Sequence, residues 1–193
     1  MRDSWHIVPI AVLWMAWLAY WFVAARATKH EVRRESAASR AMYIVPMTAG
    51  GVLLAFHHLP ADWLYQRFLP TSAIVYWAGI ALLVAGLALS VWARRHLGSN
   101  WSAAVTLKRD HELIRTGPYR FVRHPIYSGL LLAIVGTALT VDEWRALIAV
   151  VLIAGGLVAK MRTEDRFLAD LFQDEYARYR AKVPALIPRL WGP

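Results

Sequence analysis

Ser72-Ala-Ile-Val-Tyr-Trp-Ala-Gly79-Ile-Ala-Leu-Leu-Val-Ala-Gly86-Leu-Ala-Leu-Ser90-Val-Trp-Ala93 runs 22 residues without a charged side chain. At ~1.5 Å per residue it makes a helix of about 33 Å, enough for the ~30 Å hydrocarbon core of a bilayer. The composition agrees. With 58% hydrophobic residues, 10 Trp and only 18% charged residues over 193 positions, the chain has more apolar surface than one small water-soluble core uses.

Four further stretches are apolar: about His6–Ala25, about Ala41–Leu59, about Ile126–Val141 and about Trp144–Ala159. The last two are shorter, roughly 24 Å each, and are predicted to form a tight hairpin extended by polar turns. The first is too long for a cleavable signal, lacks a basic start beyond Arg2 and ends without a small-residue cleavage site, so it is expected to stay as a helix. No internal repeat is visible. The prediction is an all-α integral membrane bundle of five transmembrane helices, a single domain over 1–193.

Lys and Arg test this map, because cytoplasmic loops of membrane proteins collect them. Arg26–Arg40 holds five, Arg94–Arg123 seven and Lys160–Arg189 seven, while the other loops hold only Arg2, Arg67 and Arg145. The split of 19 against 3 alternates across five crossings. It predicts an N-terminus outside, a C-terminus in the cytosol and residence in the cytoplasmic membrane. Most of these charges need no role beyond orientation, although the net charge of +9 also attracts anionic headgroups and solutes. They sit beside hydrophobic spans and not on a nucleic-acid reader module, so no nucleic acid is expected. Cysteine is absent, and the histidines at 6, 30, 57, 58, 96, 111 and 124 show no ligand spacing with acidic partners. Neither a metal nor a redox role is expected. His57 and His58 read as interfacial.

Small residues recur on one face of two spans, at Gly79, Gly86 and Ser90 and at Gly129, Ala133, Gly136 and Thr140. In lipid such faces let helix backbones approach. Gly129 has a second reading as part of a cleft, because it adjoins a polar segment.

That segment, about 94–125, is too long for a structureless connection in so compact a chain. Leu97-Gly-Ser-Asn100-Trp101-Ser102 reads as a turn with an interfacial Trp, Gly117-Pro118 as a second turn, and Pro125 as the first residue of a helix, where its missing N–H costs nothing. The chain after the last span, about 160–184, places Leu168, Leu171, Phe172, Tyr176 and Tyr179 at helical spacing among charges and reads as an amphipathic helix ended by Pro184 and Pro188. Lys160 and Glu164 lie one turn apart. They form either a surface ion pair or a site where Glu164 faces a cationic ligand, and spacing leaves the two readings even.

The ordered set Leu97-Gly-Ser-Asn-Trp-Ser, His111-Glu-Leu-Ile, Gly117-Pro-Tyr, Arg123-His-Pro-Ile-Tyr127-Ser-Gly129, Glu164-Asp165, Leu168, Tyr176 and Val183-Pro184 resembles the isoprenylcysteine carboxyl methyltransferases over roughly the C-terminal half. Arg-His-Pro-x-Tyr alone also occurs in phospholipid methyltransferases and membrane sterol reductases. The resemblance implies S-adenosylmethionine as cofactor, held by His111, Glu112, Leu113 and Ile114, by Tyr119, by His124, Pro125, Ile126 and Tyr127, and by Glu164. It implies catalytic roles for Arg123, His124 and Glu164. Lys160 takes the substrate-binding place where eukaryotic members have an arginine, a point charge in place of a fork.

The residues suit that ligand on physical grounds. A carboxylate balances a sulfonium, Arg and turn N–H groups meet a carboxylate, and tyrosines flank a ring or a cation. The absence of Gly-x-Gly-x-x-Gly after a strand excludes a Rossmann site. Three functions from different classes follow. The first is a methyltransferase acting on a lipophilic acceptor: the carboxylate of an isoprenylcysteine-like molecule, another isoprenoid or fatty acid, or a phospholipid amine. The second is a membrane reductase using NADPH, and the third a non-enzymatic membrane interaction protein.

Overall fold

The computed structural model describes residues 6–26, 31–56, 60–101, 106–108 and 112–189. Five helices dominate: α1 (Val8–Ala24), α2 (Ala37–Ala55), α3 (Ala73–Leu97), α4 (Pro125–Val141) and α5 (Trp144–Lys182). The helices α2, α3 and α5 are long and apolar enough to cross a membrane, and α1 and α4 are apolar helices of 17 residues each. One small element joins the predicted helical bundle. A two-stranded antiparallel ribbon, β1 (Glu31–Arg34) with β2 (Thr106–Lys108), joins the α1–α2 connection to the one after α3.

Packing follows the small residues. α3 lies against α4 and α2 against α5, the two most extensive contacts in the fold. A Cβ added at Gly129 would stand 2.6 Å from the Gly86 carbonyl and 2.7 Å from the Ser90 amide, and one at Gly136 would stand 2.5 Å from the Gly79 carbonyl. The two predicted faces therefore meet each other, and Gly129 is a packing residue. Lipid tails give apolar helices no hydrophobic reason to associate, so close backbone approach supplies the attraction. The α2–α5 contact uses Gly50 beside Ile153 and Gly156 beside the Tyr43 carbonyl, a pairing that the spacing analysis missed. α1 is tied on by tryptophans: the Trp17 indole donates to Ser90 Oγ at 2.7 Å and that of Trp14 to Thr137 Oγ1 at 3.1 Å.

The expected hairpin of α4 and α5 is present, but the last span does not stop near Ala159. α5 continues for 39 residues through Glu164 and Asp165, and its φ/ψ leave the helical region only at Gln173 (φ 42°, ψ −118°). At ~1.5 Å per residue it outruns the ~30 Å hydrocarbon core, so its polar half, beyond Ala159, emerges from the apolar layer. The predicted amphipathic helix is thus the prolongation of the membrane helix plus a short return after Gln173.

At the far end of α4, Arg145 is 1% exposed. Its Nε donates to Glu143 at 2.5 Å and its Nη1 to the carbonyls of Leu53 and Leu54 at 2.6 and 2.9 Å, which closes the C-terminus of α2. Asp142 is bridged by Arg67 at 2.5 Å and accepts the Leu69 amide at 3.0 Å. These arginines, expected only to orient the chain, tie the loop 60–70 to the bundle.

Candidate active site

Pro125 is the first residue of α4, and His124 stands before it as the N-cap. The missing proline N–H is one that a helix N-terminus leaves unbonded anyway. The two amides just before it are satisfied from the other end of the chain: Arg123 N–H donates to Pro184 O at 2.9 Å and His124 N–H to Ala185 O at 3.0 Å. Ser128 Oγ donates to Leu186 O at 2.6 Å. The segment 183–186 therefore straps the start of α4.

His124 is buried, its ring stacked on Tyr127 with centroids 5.5 Å apart and planes 6° apart. Its Nε2 lies 2.7 Å from Asp165 Oδ1 and its Nδ1 lies 3.4 Å from Glu164 Oε2. Burial pulls its pKa down, but the two carboxylates outweigh burial and hold it above the ordinary imidazole value. An imidazolium donates from both nitrogens. The same contacts act in reverse on the acids. Burial pushes the Glu164 carboxyl up, and His124 and Lys160 hold it below its usual range. Burial likewise pushes Asp165 up, and hydrogen bonds from His124 and Tyr176 with the Arg123 charge hold it well below.

Arg123 joins three parts of the chain. Its Nη2 reaches Asp165 Oδ2 at 3.1 Å and its Nη1 the Val183 carbonyl at 2.7 Å. The Tyr176 hydroxyl donates to Asp165 Oδ1, and the Tyr179 hydroxyl to Tyr119 O at 2.6 Å. Burial raises the pKa of Tyr119, Tyr176 and Tyr179, that of Tyr179 to about 12, so all three hydroxyls keep their protons.

These groups border a cavity of about 860 Å³, counted with its open mouth. Of the residues predicted to form the site, Glu112, Leu113, Ile114, Tyr119, Arg123, His124, Ile126, Tyr127 and Glu164 line it. Pro125 is buried in the start of α4 and does not. Lys160 stands beside the wall, its ammonium 5.4 Å from the Tyr43 ring and 5.7 Å from the Tyr127 ring. His111, like His57 and His58, lies outside the described residues.

Residues not predicted for the site line it as well: Leu97, Asn100, Phe167, Leu168, Tyr176 and Tyr179. Trp101, expected as an interfacial anchor, is on the wall too. The Arg94 guanidinium lies 4.5 Å from its ring, and Trp21 meets it edge-on at 5.7 Å. Tyr119 and Tyr127 are each 7% exposed, so neither ring is turned outward. Gly117 turns at φ +58°, and a Cβ there would stand 2.6 Å from the His96 ring, so the turn before Tyr119 requires glycine.

Residues 74–175, just over half of the chain, match the family model for phospholipid methyltransferases. The chain belongs to that family. The matched segment carries nearly all of α3, the turn before Tyr119, α4, and Glu164 and Asp165 of α5. The chain is 40% identical over 97 residues to the cobalt-zinc-cadmium resistance protein CzcN of Cupriavidus metallidurans, covering 49% of this chain and 44% of that one. It is 32% identical over 114 residues to the protein-S-isoprenylcysteine O-methyltransferase of Schizosaccharomyces pombe, covering 58% and 48%. It spans about half the length of these curated relatives. Among solved structures, the eukaryotic intramembrane Ras methyltransferase, an isoprenylcysteine carboxyl methyltransferase, superposes with a TM-score of 0.52 at 22% identity, over 80% of this chain and 51% of that one. That likeness is one of fold, and with the apolar helices it marks this family member as an integral membrane protein.

Proposed function

We propose that this protein is an S-adenosylmethionine-dependent methyltransferase acting on a lipophilic acceptor, foremost the carboxylate of an isoprenylcysteine-like molecule, at the cytosolic face of the cytoplasmic membrane. The observation that carries this reading is the convergence of Arg123, His124, Glu164, Tyr119 and Tyr127 on one cavity at the polar end of apolar helices. The five helices then correspond to five crossings with the N-terminus outside, supported by the 19-to-3 partition of Lys and Arg.

The lining of the cavity suits the cofactor, with aromatic and apolar side chains beside a few charged and polar groups. Arg123 Nε and Asn100 Oδ1 are buried polar atoms of lining residues with no hydrogen-bond partner, and such atoms need a partner that a ligand can supply. Glu164, with 28% of its side chain exposed, offers negative charge. When bound, S-adenosylmethionine supplies an electrophilic methyl group on a sulfonium. The chain's own residues hold the reactants in line and exclude water, the task of Trp101, Leu113, Ile114 and Phe167 on the wall.

The protonation of the site favours a carboxylate acceptor over an amine. An amine must first lose a proton, whereas a carboxylate is already anionic at neutral pH. Both nitrogens of His124 are engaged by carboxylates, and Glu164 is held below its usual range, so neither is a good base. Lys160, beside the Tyr127 ring, is the cation for the acceptor's carboxylate.

Calorimetric titration of the detergent-purified protein with S-adenosylhomocysteine tests the reading. Saturable binding that Glu164→Ala weakens is expected; displacement by NADPH would replace it with the reductase reading, and no binding of either with the non-enzymatic one. Labelled methyl transferred into a lipid extract and released as methanol by mild alkali would mark an ester, and alkali-stable label an N-methylated lipid.

A further inference from the structure

Glu164 and Asp165 adjoin in sequence, yet their surroundings are opposite. Asp165 accepts from His124 Nε2 at 2.7 Å and from the Tyr176 hydroxyl on one oxygen, and from Arg123 Nη2 at 3.1 Å on the other. Three donors leave a carboxylate little capacity for a ligand. Its side chain is 11% exposed against 28% for Glu164, and Glu164 lines the cavity.

Tyr176 reaches Asp165 only because of backbone geometry. Eleven residues of straight helix would separate the two by ~16 Å along the axis. The break at Gln173, a non-glycine residue at φ 42°, folds the last turns back, so that Tyr176 meets Asp165 and Tyr179 meets the Tyr119 carbonyl. Such a conformation costs energy and persists where surrounding contacts require it. Tyr176 also lies just past the 74–175 segment that matches the family model.

We propose that Asp165 and Tyr176 are positioning residues that lock the His124 ring with both nitrogens donating, one to Asp165 and one to Glu164, and so leave Glu164 facing the cofactor cavity. The part concerning Glu164 rests on the cofactor reading given above. The groups around His124 are Asp165 and Glu164 of α5, Tyr127 stacked on it from α4, and the adjacent Arg123, with Tyr176 behind Asp165 and Lys160 acting through Glu164.

The test uses full-length protein labelled with 15N-histidine, in detergent and free of ligand, with the His124 signal assigned by its loss in His124→Gln. Asp165→Asn removes the negative partner, so His124 should lose its proton at lower pH than in the wild type. Tyr176→Phe removes a competing donor and leaves the carboxylate to His124 and Arg123, so the imidazolium should persist to higher pH. A purely structural role would not move the two variants in opposite directions. In parallel, S-adenosylhomocysteine affinity should fall about tenfold in Asp165→Asn, more at alkaline than at acidic pH, and a few-fold in Tyr176→Phe. Tyr176→Phe keeps the ring and decides the matter even if Asp165→Asn does not fold. Wild-type titration and affinity in Tyr176→Phe would overturn the proposal. Opposite titration shifts in a protein that does not bind S-adenosylhomocysteine would overturn the cofactor reading and leave the locked ring standing.

Discussion

The two ends of α4 each bury a charged cluster, and they differ in what adjoins it: backbone carbonyls at one end, a cavity at the other. At the Arg145 end the guanidinium is 1% exposed and donates to Glu143 and to carbonyls that end α2, while Arg67 bridges Asp142. At the His124 end the cluster borders a cavity, and Arg123 Nε and Asn100 Oδ1 are buried without a partner. Buried charge closed by backbone carbonyls and its own counter-ion serves the fold. A buried charged cluster that borders a cavity, among residues with unanswered polar atoms, points to a ligand.

Removing one partner from each cluster should separate stability from binding. Arg145→Ala leaves Glu143 and the α2 carbonyls unanswered and is expected to cost ~3–5 kcal/mol, read as a lower unfolding midpoint in detergent, with S-adenosylhomocysteine affinity of the folded fraction unchanged. Glu164→Ala should do the opposite. Affinity is expected to fall by about tenfold or more, ~1.4 kcal/mol, with a smaller loss of midpoint than Arg145→Ala. If both variants lost stability equally and neither lost binding, the distinction between the two ends would collapse.

pH sharpens the comparison at the His124 end. Asp165 and Glu164 are held below their ordinary range, so the stability they lend is present above the ordinary carboxylate value of about 4 and is lost as pH falls through their lowered values. His124 is held above its ordinary value of about 6.5, so its share is present below that value and is lost as pH rises through the raised one. Affinity for S-adenosylhomocysteine should therefore be flat in between and decline on the alkaline side as His124 loses its proton, a profile that calorimetry at a series of pH values would check. The smallest effect belongs to the exposed Arg115–Glu175 pair, 2.9 Å apart with side chains 51% and 40% exposed. Arg115→Ala should change stability by less than about 1 kcal/mol, and less still in high salt.

How far the sequence reached can be judged from particular residues. The glycine stripe of Gly79, Gly86, Gly129 and Gly136 was legible because helical spacing puts small residues on one face, and the structure shows those faces in contact. The turn at Gly117-Pro118 and the start of α4 at Pro125 were legible because glycine and proline dictate local backbone. Asp165 was visible beside Glu164 but carried no role, because the resemblance assigned only Glu164 and the partners of Asp165 lie 41 and 11 residues away. The break at Gln173 had no local signature, because glutamine does not favour φ > 0. The place of Trp101 on the cavity wall was not legible, because the Arg94 and Trp21 contacts that hold it there join residues far apart along the chain or out of helical register.

By itself the sequence determined the apolar helices, the polarity of their connections and the cluster of motif residues between and after them, because these depend on local composition and spacing. Only the tertiary structure decided that the strap at 183–186 closes on Arg123 and His124, and that Asp165 is saturated while Glu164 meets the cavity. Those outcomes rest on contacts between residues far apart along the chain, whose energies depend on which groups the fold brings together.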